Sequence, residues 1–180
     1  MMELTKSLFA TFFAQRRKEI LMKTIDIIGE NYSCQWEKTR TACRCIIIDN
    51  SKILLSYETV NDQWMIPGGG LEEDESDEAC CIREVAEETG MIIEVSECML
   101  EIDEYYDDWK WVNKYFVGKV VGHTEIKQTE SEREVGMVPK WVPIAEIKEI
   151  FSKFDSYAGI DEMRRGMYRR EFTALSELIK

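Results

Sequence analysis

The alternation of hydrophobic and polar positions predicts short strands interleaved with a few helices. Period-two stretches rich in β-branched or aromatic residues predict strands at residues 24–28, 41–48, 52–58, 63–66, 91–95, 100–105 and 110–121. Asp49, Asn50 and Ser51 favour a tight turn between the second and third of these strands. Hairpins combined with helical connections indicate the α/β class, a sandwich built on a mixed sheet.

Helical spacing marks both ends of the chain. Leu4, Leu8 and Phe12 belong to an apolar stripe that predicts an amphipathic helix over residues 4–22. Further helices are predicted at 144–154 and 160–180. The predicted domains are therefore an N-terminal helical extension (1–30), one α/β domain (31–156) and a C-terminal helix that packs on it (157–180). The stripe of the N-terminal helix leads us to expect a homodimer.

Acidic side chains are concentrated in one segment. The net charge is −12, and residues 69–91 contain nine acidic side chains and one basic side chain. An acidic surface repels nucleic-acid backbones and anionic membranes, so neither long nucleic acid nor membrane is expected as a partner. The six cysteines lack the spacing of a disulfide framework. We expect a reduced protein in the cytoplasm.

A glycine-rich loop precedes the helix at the centre of the acidic segment. Residues 67–70 read Pro-Gly-Gly-Gly, which predicts a loop whose backbone can approach a ligand closely. Ser76 or Asp77 is a suitable N-cap, and Gly90 is a suitable C-cap. The sequence therefore predicts a loop followed by a helix of about three turns.

Three glutamates of this helix share one face. Glu84, Glu87 and Glu88 stand at positions i, i+3 and i+4. Mg²⁺ and Mn²⁺ prefer carboxylate and carbonyl oxygens, so this face could bind either ion beside the glycine loop. Such an ion would neutralise a diphosphate and activate water. A merely solvated acidic face is the alternative interpretation of the helix taken alone.

The segment 69–91 resembles the Nudix box, G-x5-E-x7-R-E-U-x-E-E-x-G-U, in which U is a bulky apolar residue. It matches at all nine specified positions, and the likeness extends more loosely over residues 40–154. This resemblance implies the Nudix fold, an α/β/α sandwich. It also implies hydrolysis of a phosphoanhydride bond in a nucleoside diphosphate linked to another moiety, with Mg²⁺ or Mn²⁺ as cofactor. Such a substrate would be a nucleoside triphosphate, a sugar nucleotide or a dinucleotide.

The same resemblance implies roles for individual residues. The metal ligands would be Glu84, Glu87, Glu88 and the backbone carbonyl of Gly68. Glu75 and Arg83 would hold the motif together, with Arg83 orienting the carboxylates through charge-assisted hydrogen bonds. Glu75, Arg83 and Glu87 thus belong to the expected catalytic set.

The general base is expected on a separate loop. In many members of the family another carboxylate comes from the loop before the last core helix. Here that loop offers Glu130, Glu132 and Glu134, ahead of Gly136. We select Glu132 as the base and expect it to accept a proton from the attacking water.

Two cations and two aromatic residues are candidates for substrate binding. Arg40 and Arg44 lie on a predicted strand that could direct them at a phosphate, and Trp64 and Tyr106 could stack on a base. Packing and ion-pairing roles are the alternatives for all four. The sequence leaves the substrate open.

Two other functions compete with hydrolysis of a small nucleotide. A Nudix-like domain could sense a nucleotide without cleaving it, although such domains would be expected to have degraded boxes, and this box is intact. An RNA-cap hydrolase should show a basic groove, which the net charge of −12 disfavours.

Overall fold

The computed structural model describes residues 22–179, so the predicted N-terminal helix, and the homodimer expected from it, lie outside the described residues. Nine strands follow one another along the chain: β1 Lys23–Ile28, β2 Lys38–Asp49, β3 Lys52–Glu58, β4 Gln63–Met65, β5 Gly68–Gly70, β6 Met91–Val95, β7 Leu100–Tyr106, β8 Trp109–His123 and β9 Met137–Pro143. The helices are α1 Asp77–Thr89, α2 Glu130–Glu134, α3 Ile144–Phe151, a 3₁₀ helix Ser152–Tyr157, and α4 Glu162–Leu178. Within this range, no helix combines the length and hydropathy needed to cross a bilayer.

The strands form one mixed sheet, as the sequence predicts. Its main path runs β1-β7-β8-β2-β3-β4, with β5 on β2, β6 on β8 and β9 on β3. The β1–β7 and β2–β8 pairs are parallel, whereas the pairs made by β5, β6 and β9 are antiparallel. Asn50 and Ser51 both have positive φ, which is the backbone of a two-residue hairpin turn between β2 and β3.

Helices cover both faces of the sheet. On one face, Ile46 and Tyr115 pack with Phe151 of α3 and with Leu175 of α4. On the other face, side chains of β2 and β8 pack against α1 in a second cluster that contains Cys43, Cys45, Cys80, Cys81, Val85 and Phe116. Neighbouring strand residues point to opposite faces, so β2 contributes to both clusters. The result is the expected α/β/α sandwich.

The structure corrects the sequence predictions at three places. Residues 68–70, predicted as part of a loop, form β5 and pair with β2. Residues 137–143, for which no strand was predicted, form β9. The segment predicted as a loop around Glu132 contains the short helix α2. The other strands and helices predicted within residues 22–179 are confirmed, with ends that differ by a few residues.

Candidate active site

The loop and helix of the acidic segment have the predicted caps. The Ser76 side chain accepts a hydrogen bond from the Ala79 N–H, which caps the N-terminus of α1. At the other end Gly90 adopts φ 71°, and its N–H donates to the Ala86 carbonyl. These local interactions fix the start and end of the helix that carries Glu84 and Glu88.

Arg83 is the cation at the centre of the acidic segment. Its guanidinium donates two hydrogen bonds of 2.9 Å to the two oxygens of Glu75. It also donates to Glu84 (2.8 Å), to Glu87 (3.2 Å) and to the Gly70 carbonyl (3.1 Å). The hydrogen bond from Arg83 is the main reason that the pKa of Glu75 lies below its ordinary value. Arg83 therefore ties the helix to the glycine segment and to the turn before the helix.

Three carboxylates converge beside the glycine segment. Glu84, Glu88 and Glu132 each offer an oxygen, and these oxygens lie within 4.8 Å of one another. Glu84 and Glu88 project from α1, whereas Glu132 comes from α2. Glu87, although it is adjacent in sequence, is not among the three; its carboxylate accepts from Arg83 instead. The structure thus joins the predicted base to two of the three predicted helix ligands.

Burial changes the acid–base properties of this group. Burial raises the pKa of Glu88 to about 8, and the Glu84 and Glu132 carboxylates act in the same direction. A hydrogen bond from the Ser56 hydroxyl (2.6 Å) opposes that rise. Burial likewise raises the pKa of Glu84, while Arg83 opposes it. Positive charge at this point would favour both carboxylates in their ionised form.

Glu132 is held by a capping box. The Glu132 carboxylate accepts from the Thr129 N–H (2.7 Å), and the Glu132 N–H donates to the Thr129 hydroxyl (3.3 Å). This reciprocal pair fixes the first turn of α2. The Thr-x-x-Glu pattern at 129–132 is readable from the sequence and would have predicted the helix.

The glycines bring the backbone against these carboxylates. Gly68 has φ 141°, and a Cβ at this position would overlap the Cys43 carbonyl oxygen. A Cβ on Gly69 would overlap the Glu84 carboxylate. The Gly68 carbonyl accepts a 3.3 Å hydrogen bond from Arg44 and has a second lone pair. Carboxylates together with backbone carbonyls are the donors that Mg²⁺ and Mn²⁺ prefer, so the residues present fit such an ion.

The two predicted substrate arginines occupy different environments. Arg40 is exposed and lies over the Trp111 ring, with its Cζ 5.7 Å from the ring centroid. Its Nη2 lies 2.9 Å from the point where a Cβ on Gly70 would stand, and its guanidinium forms no ion pair with any side chain of residues 22–179. Arg44 is largely buried and donates to the Ile66 and Gly68 carbonyls. Arg40 is therefore free to meet an anion, whereas Arg44 supports the backbone of the loop.

The two predicted substrate aromatics lie away from the three carboxylates. The Trp64 ring stacks on Tyr57 at 4.2 Å. The Tyr106 ring packs against Gly29 and Gly166, and Tyr106 pairs with Trp109 at the end of β7, whereas Gly68 pairs with Arg44 near the middle of β2. The structure does not bring either ring to the carboxylate group, and their roles in substrate binding stay predictions.

Two residues at the site gave no signal in the sequence. Ser56, on β3, is buried and donates to Glu88. Asn113, on β8, is buried and accepts from Arg44 through its side-chain oxygen. A serine and an asparagine in predicted strands are too common to indicate contact with a helix glutamate or a buried arginine, so only the tertiary structure reveals them.

Comparisons with known proteins agree with this architecture. The profile of the NUDIX domain matches residues 38–161. The m7GpppN-mRNA hydrolase of Saccharomyces cerevisiae is 39% identical over 69 residues, which are 38% of this chain and only 6% of that protein. The diphosphoinositol polyphosphate phosphohydrolase 3-alpha of Mus musculus is 30% identical over 116 residues, 63% of this chain and 68% of that protein.

Solved structures share the fold. A NUDIX hydrolase from Nitrosomonas europaea is 21% identical, with a TM-score of 0.54 and coverage of 76% of this chain and 89% of that one. A MutT protein from Methanosarcina mazei is 20% identical, with a TM-score of 0.54 and coverage of 78% and 95%. The domain profile, which matches more than half of the chain, and the intact box beside the converging carboxylates lead to one conclusion: the chain belongs to the NUDIX domain family.

Proposed function

We propose that this chain hydrolyses a phosphoanhydride bond in a nucleoside diphosphate linked to another moiety, with Mg²⁺ or Mn²⁺, by attack of water on phosphorus. The observation that carries the proposal is the convergence of Glu84, Glu88 and Glu132 within 4.8 Å. Buried like charges repel one another, so such a group is favourable when cations and a polyphosphate share the site. A small nucleotide-type substrate in the cytoplasm suits this proposal, and the free thiols of the chain are typical of a reducing compartment.

Each residue of the site has a proposed task. Glu84 and Glu88, with the Gly68 carbonyl, would hold the divalent ion, which when bound neutralises phosphate charge and lowers the pKa of a coordinated water. Glu132 would accept the proton of the attacking water. Arg40, exposed beside Gly70, would contact a phosphate. Glu87, which accepts from Arg83, stays a proposed ligand that would need to turn toward the ion.

The capping box allows a sharp test of Glu132. Glutamine also completes a capping box, so Glu132→Gln removes the charge and leaves the Thr129 contact available. Glu130→Gln, on the same short helix, is the matched control. We expect Glu132→Gln to lower kcat by about a hundred-fold with an unchanged requirement for Mg²⁺, and Glu130→Gln to keep wild-type turnover. A raised Mg²⁺ requirement with little change in kcat would instead make Glu132 a metal ligand.

The substrate is tested with a panel of anhydrides. The panel contains nucleoside triphosphates, sugar nucleotides and dinucleoside polyphosphates. It also contains a diphosphoinositol polyphosphate and a capped RNA, because the mouse and yeast relatives are named for these substrates. We expect metal-dependent release of phosphate-containing fragments from at least one nucleoside diphosphate derivative. Binding of nucleotides without turnover, identical in the wild type and in Glu88→Gln, would contradict the proposal and favour a nucleotide sensor.

A further inference from the structure

A buried polar network joins the C-terminal helix to the sheet next to the glycine segment, residues 67–70. Its members come from four elements, namely β2, β7, β8 and α4: Arg44, Glu104, Asn113, Tyr115, Arg170 and Glu171. Arg170 and Glu171 lie beyond residues 38–161, the part that the domain profile matches. We call these six residues the α4 network.

The contacts within the α4 network are close and reciprocal. Arg170 donates to Glu104 (3.0 Å), to Glu171 (2.8 Å) and to the Tyr115 hydroxyl (3.1 Å). The Tyr115 hydroxyl donates in turn to the second oxygen of Glu171 (3.1 Å), and Asn113 donates to Glu104 (3.0 Å). Glu171 is fully buried, and Arg170 is 7% exposed. Together with Arg44 the network contains two cations and two anions, so it is neutral.

Arg44 connects the α4 network to the glycine segment. Its Nε donates to Asn113 (3.3 Å), and its Nη1 lies 3.9 Å from the Glu171 carboxylate. The same Nη1 donates to the carbonyls of Ile66 (3.2 Å) and Gly68 (3.3 Å). The guanidinium therefore has the network on one side and, on the other, the carbonyl proposed to bind the metal.

A purely stabilising role would not require these charges. Buried ion pairs add little to stability compared with well-packed apolar residues, because desolvation offsets most of the attraction. Hydrogen-bonded groups behind a metal ligand, in contrast, commonly fix its orientation. We propose that Arg170 and Glu171 are positioning residues of the active site, which fix Arg44 and through it the Gly68 carbonyl. This inference rests on the proposed function.

The geometry predicts what each loss would do. Glu171→Gln keeps the shape of the side chain and removes one anion, which leaves a buried excess of positive charge next to Arg44. Arg44 then loses its charged partner, and its hold on the Ile66 and Gly68 carbonyls weakens. Arg170→Gln combined with Glu171→Gln restores neutrality without restoring the contact to Arg44. Leu175→Ala, buried on the same helix, is the matched control, because it removes packing without touching a charge.

The test combines hydrogen exchange with metal binding and kinetics in the full chain. Exchange of residues 64–70 is measured without substrate and compared with exchange of β6, which pairs with residues 118–123 at the far end of β8 from Asn113. Mn²⁺ affinity is measured by electron paramagnetic resonance, and kcat and KM are measured with the best substrate of the panel. We expect Glu171→Gln to exchange at residues 64–70 about ten-fold faster than the wild type, and to lose about ten- to a hundred-fold in Mn²⁺ affinity or kcat with a near-constant KM.

Control and rescue variants decide the interpretation. Leu175→Ala should lower Tm while loop exchange relative to β6, Mn²⁺ affinity and kcat stay at wild-type values. Glu171→Asp, which keeps the charge, should recover part of the loss in Mn²⁺ affinity or kcat. If Glu171→Gln does not fold, Glu171→Asp takes its place in the comparison with the wild type. If the Glu171 and Leu175 variants accelerate exchange of residues 64–70, relative to β6, to the same extent, the inference is overturned. If the wild type hydrolyses nothing on the panel, the proposed function fails, whereas loop exchange still decides the role of the α4 network.

Discussion

Arg83→Met should destabilise the protein in a way that depends on pH. Arg83 makes a bidentate pair with Glu75 at 2.9 Å and single contacts with Glu84 and Glu87 at 2.8 and 3.2 Å. Hydrogen bonds to charged groups contribute about 1.5–3 kcal/mol each when buried. The Arg83 side chain is 24% exposed, so solvent screening lowers the contribution of each contact to stability to about 1 kcal/mol. The expected loss in the free energy of unfolding at pH 7 is therefore about 2–4 kcal/mol.

The sign of the pH dependence follows from Glu75. Arg83 lowers the pKa of Glu75 in the folded protein below its ordinary value of 4.5. A lowered pKa contributes stability that is present above the unfolded-state pKa and is lost as pH falls through the folded-state pKa. The difference between wild type and Arg83→Met should therefore be full at pH 7 and shrink as pH falls below about 4.5.

Urea unfolding followed by tryptophan fluorescence measures this difference. Both proteins are unfolded in EDTA at pH 7 and at pH 3.5, so that no divalent ion contributes. Arg169→Met is the control, because Arg169 is exposed on α4 and should change stability by less than about 0.5 kcal/mol. A loss at pH 7 as small as that of the control, or an equal loss at both pH values, would refute the account of Arg83.

Three further predictions concern the same site. Mg²⁺ at about a hundred times its Kd should stabilise the protein by about 2.7 kcal/mol and raise Tm by about 5–11 °C in calorimetry. Glu88→Gln should abolish most of this rise in Tm, and an unchanged rise in that variant would argue against the metal site. Gly68→Ala should cost about 3 kcal/mol or more in urea unfolding, because φ is 141° and the new Cβ would overlap the Cys43 carbonyl; a loss under about 1 kcal/mol would contradict that geometry. Thr129→Ala should cost about 1 kcal/mol and lower kcat less than Glu132→Gln does, and steady-state kinetics showing the reverse order would count against Glu132 as the base.

The sequence predicted the features whose signals are local. The helix after the glycine segment follows from apolar spacing and from caps at Ser76 and Gly90, all within a few residues of one another. The β9 strand was missed because Pro139 and Pro143 suggest breaks in regular structure. Proline lacks a backbone N–H, yet it is tolerated in an edge strand, and β9 has β3 as its partner while lying at a margin of the sheet.

The site was harder to predict where partners are distant in sequence. Helical spacing alone cannot show that Glu87 accepts a hydrogen bond from Arg83 while the carboxylates of Glu84 and Glu88 lie close to that of Glu132. The reason is that Glu132 lies on another element. Arg44 was expected to contact substrate, but Asn113 and Glu171, which hold it in the structure, lie far along the chain. Buried polar networks depend on such long-range contacts, and hydrophobic patterns do not encode them.

Turnover in H₂¹⁸O shows whether this site hydrolyses a phosphoanhydride bond by attack of water on phosphorus. The wild type and Glu88→Gln are incubated with Mg²⁺ and the substrate panel, and the phosphate-containing products are analysed by mass spectrometry. We expect the wild type to release fragments carrying one ¹⁸O on phosphorus, and Glu88→Gln and an EDTA-treated sample to release at least a hundred-fold less. Labelled product formed equally by the wild type, by Glu88→Gln and in EDTA would contradict hydrolysis at this metal site.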